Sequence, residues 1–108
     1  MKVGIAGYGV VGKIRHRSIE SNTSYQVTAI SESNKEAQEF IPAGIEVYND
    51  YKSLIANADI DLIFISLPNQ FAAEAACLSL QRGLHVFCEK PPAKNYKELL
   101  SIKKFLKK

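Results

Sequence analysis

The stretch Gly7-Tyr8-Gly9-Val10-Val11-Gly12 decides the fold of this chain. It follows residues 3–6, a short uncharged run that is typical of a strand covered on both faces. The spacing G-x-G-x-x-G between a strand and a helix predicts a tight turn at Gly7, an open backbone at Gly9 and close helix–strand packing at Gly12. We therefore predict a strand, a glycine turn (residues 7–12) and a helix, the first unit of an alternating α/β chain.

The start of that helix is the predicted anion site. Backbone N–H groups around Val10 and Val11, together with the positive end of the helix dipole, stabilise a pyrophosphate. A second apolar run, residues 27–30, leads to Glu32, at the distance from Gly12 where the dinucleotide fingerprint places a carboxylate for the adenosine ribose hydroxyls. Glycines alone are weak evidence, because they also collect in hairpins and loops. In this context they predict a dinucleotide site; the alternative is that Glu32 is a solvated loop residue.

Two charged residues bear on the choice of dinucleotide. A carboxylate at Glu32 repels the 2′-phosphate of NADP and so favours NAD. Lys35, three positions later, would attract that phosphate. NAD is the predicted cofactor, and NADP stays open as the alternative.

The remaining chain alternates predicted strands and helices. Further strands are predicted at residues 45–48, 61–68 and 85–88, and helices at residues 11–20, 35–41, 51–57, 70–82 and from 95 onward. Since each parallel pairing needs a right-handed crossover, this order predicts an α/β doubly wound parallel sheet, Rossmann-like, with strand order 3-2-1-4-5 in a single domain. Ligands bind at the switch point between strands one and four, where the glycine turn, residues 66–69 and residues 89–90 converge.

Composition argues against other classes of protein. The chain has 108 residues, 46% of them hydrophobic and 23% charged, which fits one soluble domain. Its net charge of +3 is concentrated in four lysines among the last six residues, which suits a helix end better than a nucleic-acid-binding face. Cys77 and Cys88 lack metal-site or redox-pair spacing. With no signal peptide or membrane span, we expect a cytoplasmic protein without metal, nucleic-acid or membrane partners.

Four polar residues on the first predicted helix are candidate cofactor ligands. Lys13, Arg15, His16 and Arg17 could face the cofactor phosphates, but a helix needs a polar outer face, so we expect each to point to water. His85 opens the fifth strand, at the opposite end from the switch point. We expect both histidines to be structural or solvated.

Several stretches match one known family. They are the glycine turn, Glu32 and residues 47–51, 61–69 and 83–91. The Glu89-Lys90-Pro91 triplet, set against Pro68-Asn69, is more specific than the glycines. On these motifs the chain resembles, over nearly its whole length, the N-terminal NAD(P)-binding Rossmann domain of the glucose–fructose oxidoreductase / inositol dehydrogenase (Gfo/Idh/MocA) family.

The resemblance completes the predicted site. The predicted cofactor-binding residues are Gly7, Tyr8, Gly9, Val10, Val11, Gly12, Glu32, Ser33, Ser66, Leu67, Pro68, Asn69, Glu89 and Lys90. It also implies that Lys90 is catalytic, contacting the substrate hydroxyl and assisting proton transfer electrostatically, as an ammonium beside a developing alkoxide would. From the residues alone, Lys90 reads as a surface lysine before a proline turn.

Two departures from the family matter. Relatives usually carry a histidine three positions after the Asn that matches Asn69, in a Pro-Asn-x-x-His pattern, and this chain has Ala72 there. We also expect residues 1–108 to be the Rossmann domain alone, without the family's C-terminal domain, which supplies most of the substrate pocket, the usual catalytic Asp and His and commonly the oligomer interface.

The resemblance therefore implies the nucleotide-binding part of an NAD(P)-dependent oxidoreductase. Its substrate would be the hydroxyl of a sugar, polyol or sugar nucleotide. By itself the chain should bind dinucleotide with little or no turnover, and exposed surfaces would allow self-association as a homo-oligomer. The alternatives are a stand-alone dinucleotide-binding sensor without catalysis and a structural relative that binds no nucleotide.

Overall fold

The computed structural model describes residues 1–88 of the chain. The elements, in order, are β1 (Lys2–Ala6), α1 (Val10–Glu20), β2 (Gln26–Ser31), α2 (Lys35–Gln38), β3 (Glu46–Tyr48), α3 (Tyr51–Asn57), β4 (Leu62–Ile65), α4 (Asn69–Gln81) and β5 (His85–Cys88). The helix predicted from residue 95 lies outside the described residues.

The five strands form one sheet in the order β3-β2-β1-β4-β5, and every neighbouring pair is parallel. This confirms the predicted doubly wound sheet and its strand order. The fourth strand is shorter than predicted, because its ladder with β1 ends at the pair Ala6 and Ile65. The chain then turns at Ser66, whose N–H donates to Ala6 O at 2.9 Å, and Pro68 caps α4. The residues released from the strand become the loop at the switch point.

Helices cover both faces of the sheet. On one face, α3 and α4 pack over a cluster that includes Leu54 and Ile63, both fully buried. Alanines at positions 72, 75 and 76 are buried on α4 and let this helix lie close to the sheet. On the opposite face, fully buried Val3 and Ile5 belong to a second cluster. β1 is thus covered on both faces, as its uncharged residues 3–6 predicted.

Side chains hold both ends of α3. Asp50 is the N-cap, and its Oδ1 accepts a hydrogen bond from Ser53 N at 2.7 Å. At the other end, the Arg82 guanidinium donates to Ile55 O at 2.6 Å and to Ala58 O at 2.5 Å. These contacts connect the α3 terminus to α4 and fix the loop between β3 and α3 at the carboxyl edge of the sheet.

We expect Asp50→Ala to lower the free energy of unfolding by about 1 kcal/mol at neutral pH, because it removes the cap of α3. The hydrogen bond from the Ser53 backbone lowers the pKa of the Asp50 carboxyl. A carboxylate with a depressed folded-state pKa contributes stability above its unfolded pKa and loses it as the pH falls through the folded value. Urea unfolding should therefore show a smaller difference between the two proteins in acid. Asp50→Asn, which keeps a capping oxygen, should lose much less stability at neutral pH.

Arg82→Met should lower the free energy of unfolding by about 1–3 kcal/mol, because it leaves two partly buried carbonyls without their donor. Thermal and urea unfolding measure this effect. Arg82→Lys should recover only part of the loss, since an ammonium lacks the planar fork that reaches both oxygens. Equal stability of the methionine variant and the wild type would contradict the role of this contact.

Candidate dinucleotide-binding site

Gly7 makes the sharp turn out of β1. Its φ of +95° lies in the left-handed region, where an L side chain is strained. A Cβ at this position would also stand 2.5 Å from Ser66 O, and the Gly7 N–H donates to Ser31 O at 2.9 Å. The predicted tight turn is confirmed, and it is enclosed by the ends of β2 and β4.

Gly12 is where α1 approaches that turn. A Cβ on Gly12 would lie 2.2 Å from Gly7 O, a backbone atom that cannot move aside independently. The predicted close packing of helix and strand is therefore confirmed. It sets the first turn of α1 directly over the end of β1.

Gly9 has the opposite surroundings. It is the N-cap of α1, with φ −77°, and a Cβ built on it meets nothing within 4 Å. The cap makes no side-chain hydrogen bond, and the first turn contains no acidic residue. The first N–H groups of an α-helix have no partner within the helix and carry partial positive charge. This open cradle fits a phosphate group, the ligand that the motif predicts.

Glu32 lies beside the cradle at the end of β2. Its Oε1 accepts from Tyr8 N at 2.7 Å, and its Oε2 accepts from Asn34 N at 2.9 Å. Gln38 Nε2 holds the same residue by donating to Glu32 O at 2.5 Å. Because each carboxylate oxygen has a further lone pair, Glu32 can still accept from ribose hydroxyls. It is half-buried and fixed by backbone donors, which disfavours the alternative of a solvated loop residue.

Two cavities open at the carboxyl edge of the sheet. The Glu32 cavity has a volume of about 300 Å³ and is lined by Gly7, Gly9, Ser31, Glu32, Ser33, Asp50, Tyr51, Ser66, Leu67, Pro68 and Phe71. The Cys88 cavity has a volume of about 450 Å³ and is lined by Gly9, Val10, Val11, Ile65, Ser66, Leu67, Pro68, Asn69, Ala72 and Cys88. The two share Gly9 and residues 66–68. They therefore form one cleft of two arms that meet at the glycine turn.

The structure brings together the predicted residues that it describes, in three segments from different parts of the chain. Tyr8 contributes differently from the rest: its N–H faces Glu32, while its side chain is 4% exposed and packs in the core on the α1 side. Glu89 and Lys90, including the predicted catalytic role of Lys90, lie outside the described residues.

Two aromatic residues in the wall of the Glu32 cavity were not predicted as site residues from the sequence. Tyr51 and Phe71 form an aromatic pair with ring centroids 6.1 Å apart. The Tyr51 hydroxyl donates to Glu74, and burial, followed by that hydrogen bond, raises the pKa of Tyr51 to about 12. The rule that strand carboxyl ends line the ligand cleft could have identified Tyr51, which follows β3 closely.

The expectation that His16 points to water is wrong, and the alternative that it is structural is confirmed. His16 is 4% exposed; its Nδ1 lies 2.8 Å from the Tyr8 hydroxyl, and its Nε2 contacts Glu20. The reason is helical periodicity, because His16 follows the buried Gly12 by four residues and so shares its face. Arg17 is exposed as expected, and Lys13 Nζ lies 4.0 Å from the centroid of the Phe40 ring.

Three further features concern residues 1–88. None of the helices described there is long and apolar enough to cross a membrane. Within the same range, no group of three or more His, Cys, Asp or Glu side chains could hold a metal ion. Cys77 and Cys88 are free, partly buried thiols, and burial raises the pKa of each.

Comparison with known proteins gives curated relatives with similar sequences. An inositol 2-dehydrogenase of Salmonella typhimurium (strain LT2) is 32% identical over 98 residues, which cover 86% of this chain and 29% of the relative. A scyllo-inositol 2-dehydrogenase (NADP(+)) of Bacillus subtilis (strain 168) is 33% identical over 99 residues, covering 84% of this chain and 30% of the relative. The chain thus spans less than a third of the length of these relatives.

Solved structures give the same correspondence in three dimensions. The scyllo-inositol dehydrogenase from Lactobacillus casei with bound cofactor NAD(H) and scyllo-inositol matches with a TM-score of 0.90 and 27% identity, over 99% of this chain and 33% of that one. The sequence profile of the oxidoreductase family with an NAD-binding Rossmann fold, GFO_IDH_MocA, matches residues 1–108. The resemblance seen in the motifs is confirmed: this chain belongs to the Gfo/Idh/MocA oxidoreductase family and has its NAD-binding Rossmann fold.

Proposed function

We propose that residues 1–108 are the dinucleotide-binding domain of an NAD(P)-dependent oxidoreductase that acts on a CH–OH group of an inositol, sugar or other polyol, or of a sugar nucleotide. The observation that carries this proposal is the two-armed cleft. Its arms meet at the open N-terminus of α1, and one arm contains the fixed carboxylate of Glu32. A dinucleotide has the same layout, with a nucleoside on each side of a central pyrophosphate.

Each part of the cleft then has a role. The pyrophosphate would lie at Gly9, where the absent side chain and the helix N–H groups favour a close anion. The adenosine half would occupy the Glu32 cavity, with Glu32 accepting hydrogen bonds from its ribose. The nicotinamide half would occupy the Cys88 cavity, between residues 66–69 and the end of β5.

The bound dinucleotide would supply hydride chemistry, and the residues of this chain would bind and orient the reactants. We propose that Lys90, two residues after Cys88, holds the substrate hydroxyl and favours its loss of a proton by electrostatic attraction. Glu89 would line the nicotinamide end beside it. Support for both roles comes from the Glu-Lys-Pro motif.

We propose NAD as the preferred dinucleotide. The support is the fixed position of the Glu32 carboxylate, since the negative charge held there by Tyr8 N and Asn34 N would repel a 2′-phosphate. The relatives differ in their dinucleotide: the Bacillus subtilis protein is named for NADP(+), and the Lactobacillus casei structure contains NAD(H). Lys35 is the cation that could reduce the preference.

Inositols are the substrate class favoured by the names of these relatives. We further propose that the 108-residue chain binds dinucleotide with little or no turnover. The chain spans 29% of the length of the Salmonella typhimurium relative and 33% of the Lactobacillus casei chain, and this proposal assigns to that part the binding of the dinucleotide.

The glycines provide a matched test of the pyrophosphate site. Gly9→Val should fold and lose no more than about 1 kcal/mol of stability, because its side chain enters open space and only the helix cap becomes poorer. It should weaken NADH binding by more than about tenfold, because the side chain fills the phosphate cradle. Gly12→Ala should instead lose more than about 2 kcal/mol of stability through its clash with Gly7 O. Calorimetric titration with NADH and thermal unfolding measure both effects. NADH binding by Gly9→Val at wild-type affinity would exclude this site.

The role of Glu32 is tested by comparing NADH with NADPH. Glu32→Ala should weaken NADH binding roughly tenfold or more, the effect of losing hydrogen bonds to a charged acceptor, and should leave NADPH binding unchanged or improved. Glu36→Ala removes a nearby exposed carboxylate on α2 and should change neither affinity by more than about twofold. If Glu32→Ala weakened the binding of NADH and of NADPH equally, Glu32 would have no role in discriminating between the two nucleotides.

A further inference from the structure

A polar chain runs from the exposed Glu20 on α1, through the buried His16, to the buried Tyr8 of the glycine turn. The Tyr8 hydroxyl lies 2.8 Å from His16 Nδ1, and His16 Nε2 contacts the carboxylate of Glu20, one helical turn further along α1. Tyr8 and His16 are each 4% exposed. Neither the glycine motif nor the proposed chemistry accounts for this arrangement.

For a neutral imidazole, the chemistry of the three groups gives the hydrogen bonds one direction. A carboxylate only accepts hydrogen bonds, so the contact with Glu20 places a proton on His16 Nε2. In the neutral imidazole, Nδ1 is then an acceptor, and the Tyr8 hydroxyl donates to it. A tyrosine hydroxyl is protonated at neutral pH and can donate, and burial raises the pKa of Tyr8 further.

Tyr8 connects this chain to the proposed cofactor site. Its backbone N–H donates to Glu32 Oε1 at 2.7 Å, while its ring packs in the core cluster that contains Val3 and Ile5. Gly7 and Gly9 on either side have no side chains, so Tyr8 supplies the only side-chain anchor in the segment 7–9. A shift of the Tyr8 ring would move the peptide that holds Glu32.

We propose that Tyr8, His16 and Glu20 are positioning residues that hold the glycine turn in the conformation where Tyr8 N fixes the Glu32 carboxylate for the ribose of a dinucleotide. This inference rests on the proposed dinucleotide function. The charged groups around the cavity that His16 lines are Lys13, Arg17 and Glu20, all on α1. Phe40 and Pro42, which follow α2, complete that wall and carry no charge.

The decisive variant is Tyr8→Phe, which keeps the buried ring and removes the hydroxyl. We expect it to weaken NADH binding roughly three- to tenfold, as the loss of one hydrogen bond would. In a Glu32→Ala background the same change should alter the affinity by less than about twofold, since the carboxylate that it positions is gone. A merely structural role of the hydroxyl would weaken binding equally in both backgrounds. Fluorescence titration with NADH measures all four proteins.

Two further variants complete the test. His16→Gln retains an acceptor for Tyr8 and a donor for Glu20, so it should bind NADH more tightly than His16→Leu. If His16→Leu does not fold, the positioning role is still tested by the effect of Tyr8→Phe on NADH affinity in the wild-type and Glu32→Ala backgrounds. Tyr25→Phe, a hydroxyl deletion at a 37% exposed tyrosine before β2, is the matched control and should bind as the wild type does.

The outcomes separate the two proposals. If the wild type and Tyr8→Phe bind NADH with equal affinity, the positioning role is wrong, while the proposed dinucleotide site is retained. The same holds if Tyr8→Phe has the same effect in both Glu32 backgrounds. No NADH binding by the wild type overturns the proposed function and the positioning role together.

Discussion

The contact between Gly12 and Gly7 O is the constraint on which the rest of the site depends. With 2.2 Å between that oxygen and the position of a Cβ on Gly12, only glycine allows α1 to begin where it does. The close approach places the N-terminus of α1 over the end of β1, so the first N–H groups of the helix face the cleft. The same approach brings Gly12 near Ser66, which links the helix to the β4 end of the sheet.

The parallel sheet turns this local contact into a cleft. Because α1 covers one face and α3 and α4 cover the other, the connections on the two sides of β1 diverge at its carboxyl end. The loop after β2 brings Glu32 to one arm, and the loop after β4 brings residues 66–68 to the floor that both arms share. The caps at Asp50 and Arg82 hold α3 in place beside the Glu32 arm.

The distribution of charge in the cleft agrees with the proposed placement of an anion at the start of α1 and a polar sugar beside it. The start of α1 has no acidic residue and no side-chain cap, so its dipole is uncompensated by the helix itself. The negative charge of Glu32 is set to one side and is held by two backbone N–H donors. The polar chain from Glu20 through His16 ends at the side chain of Tyr8, whose backbone N–H holds Glu32, so the glycine turn connects the core beneath α1 with the cleft.

The sequence by itself determined the strand order and the position of Glu32 at the end of β2, because both depend on periodicity and chain direction. It also determined the turn at Gly7 and the close packing at Gly12, because both depend on the missing side chain of glycine. Even the burial of His16 was available from its four-residue spacing to Gly12. Only the tertiary structure decided which side chains meet across the cleft, such as Tyr51 with Phe71, and that Glu32 is held by Tyr8 and Asn34. These contacts join segments far apart in the chain, and their distances follow from how closely helices pack on the sheet, which no local pattern encodes.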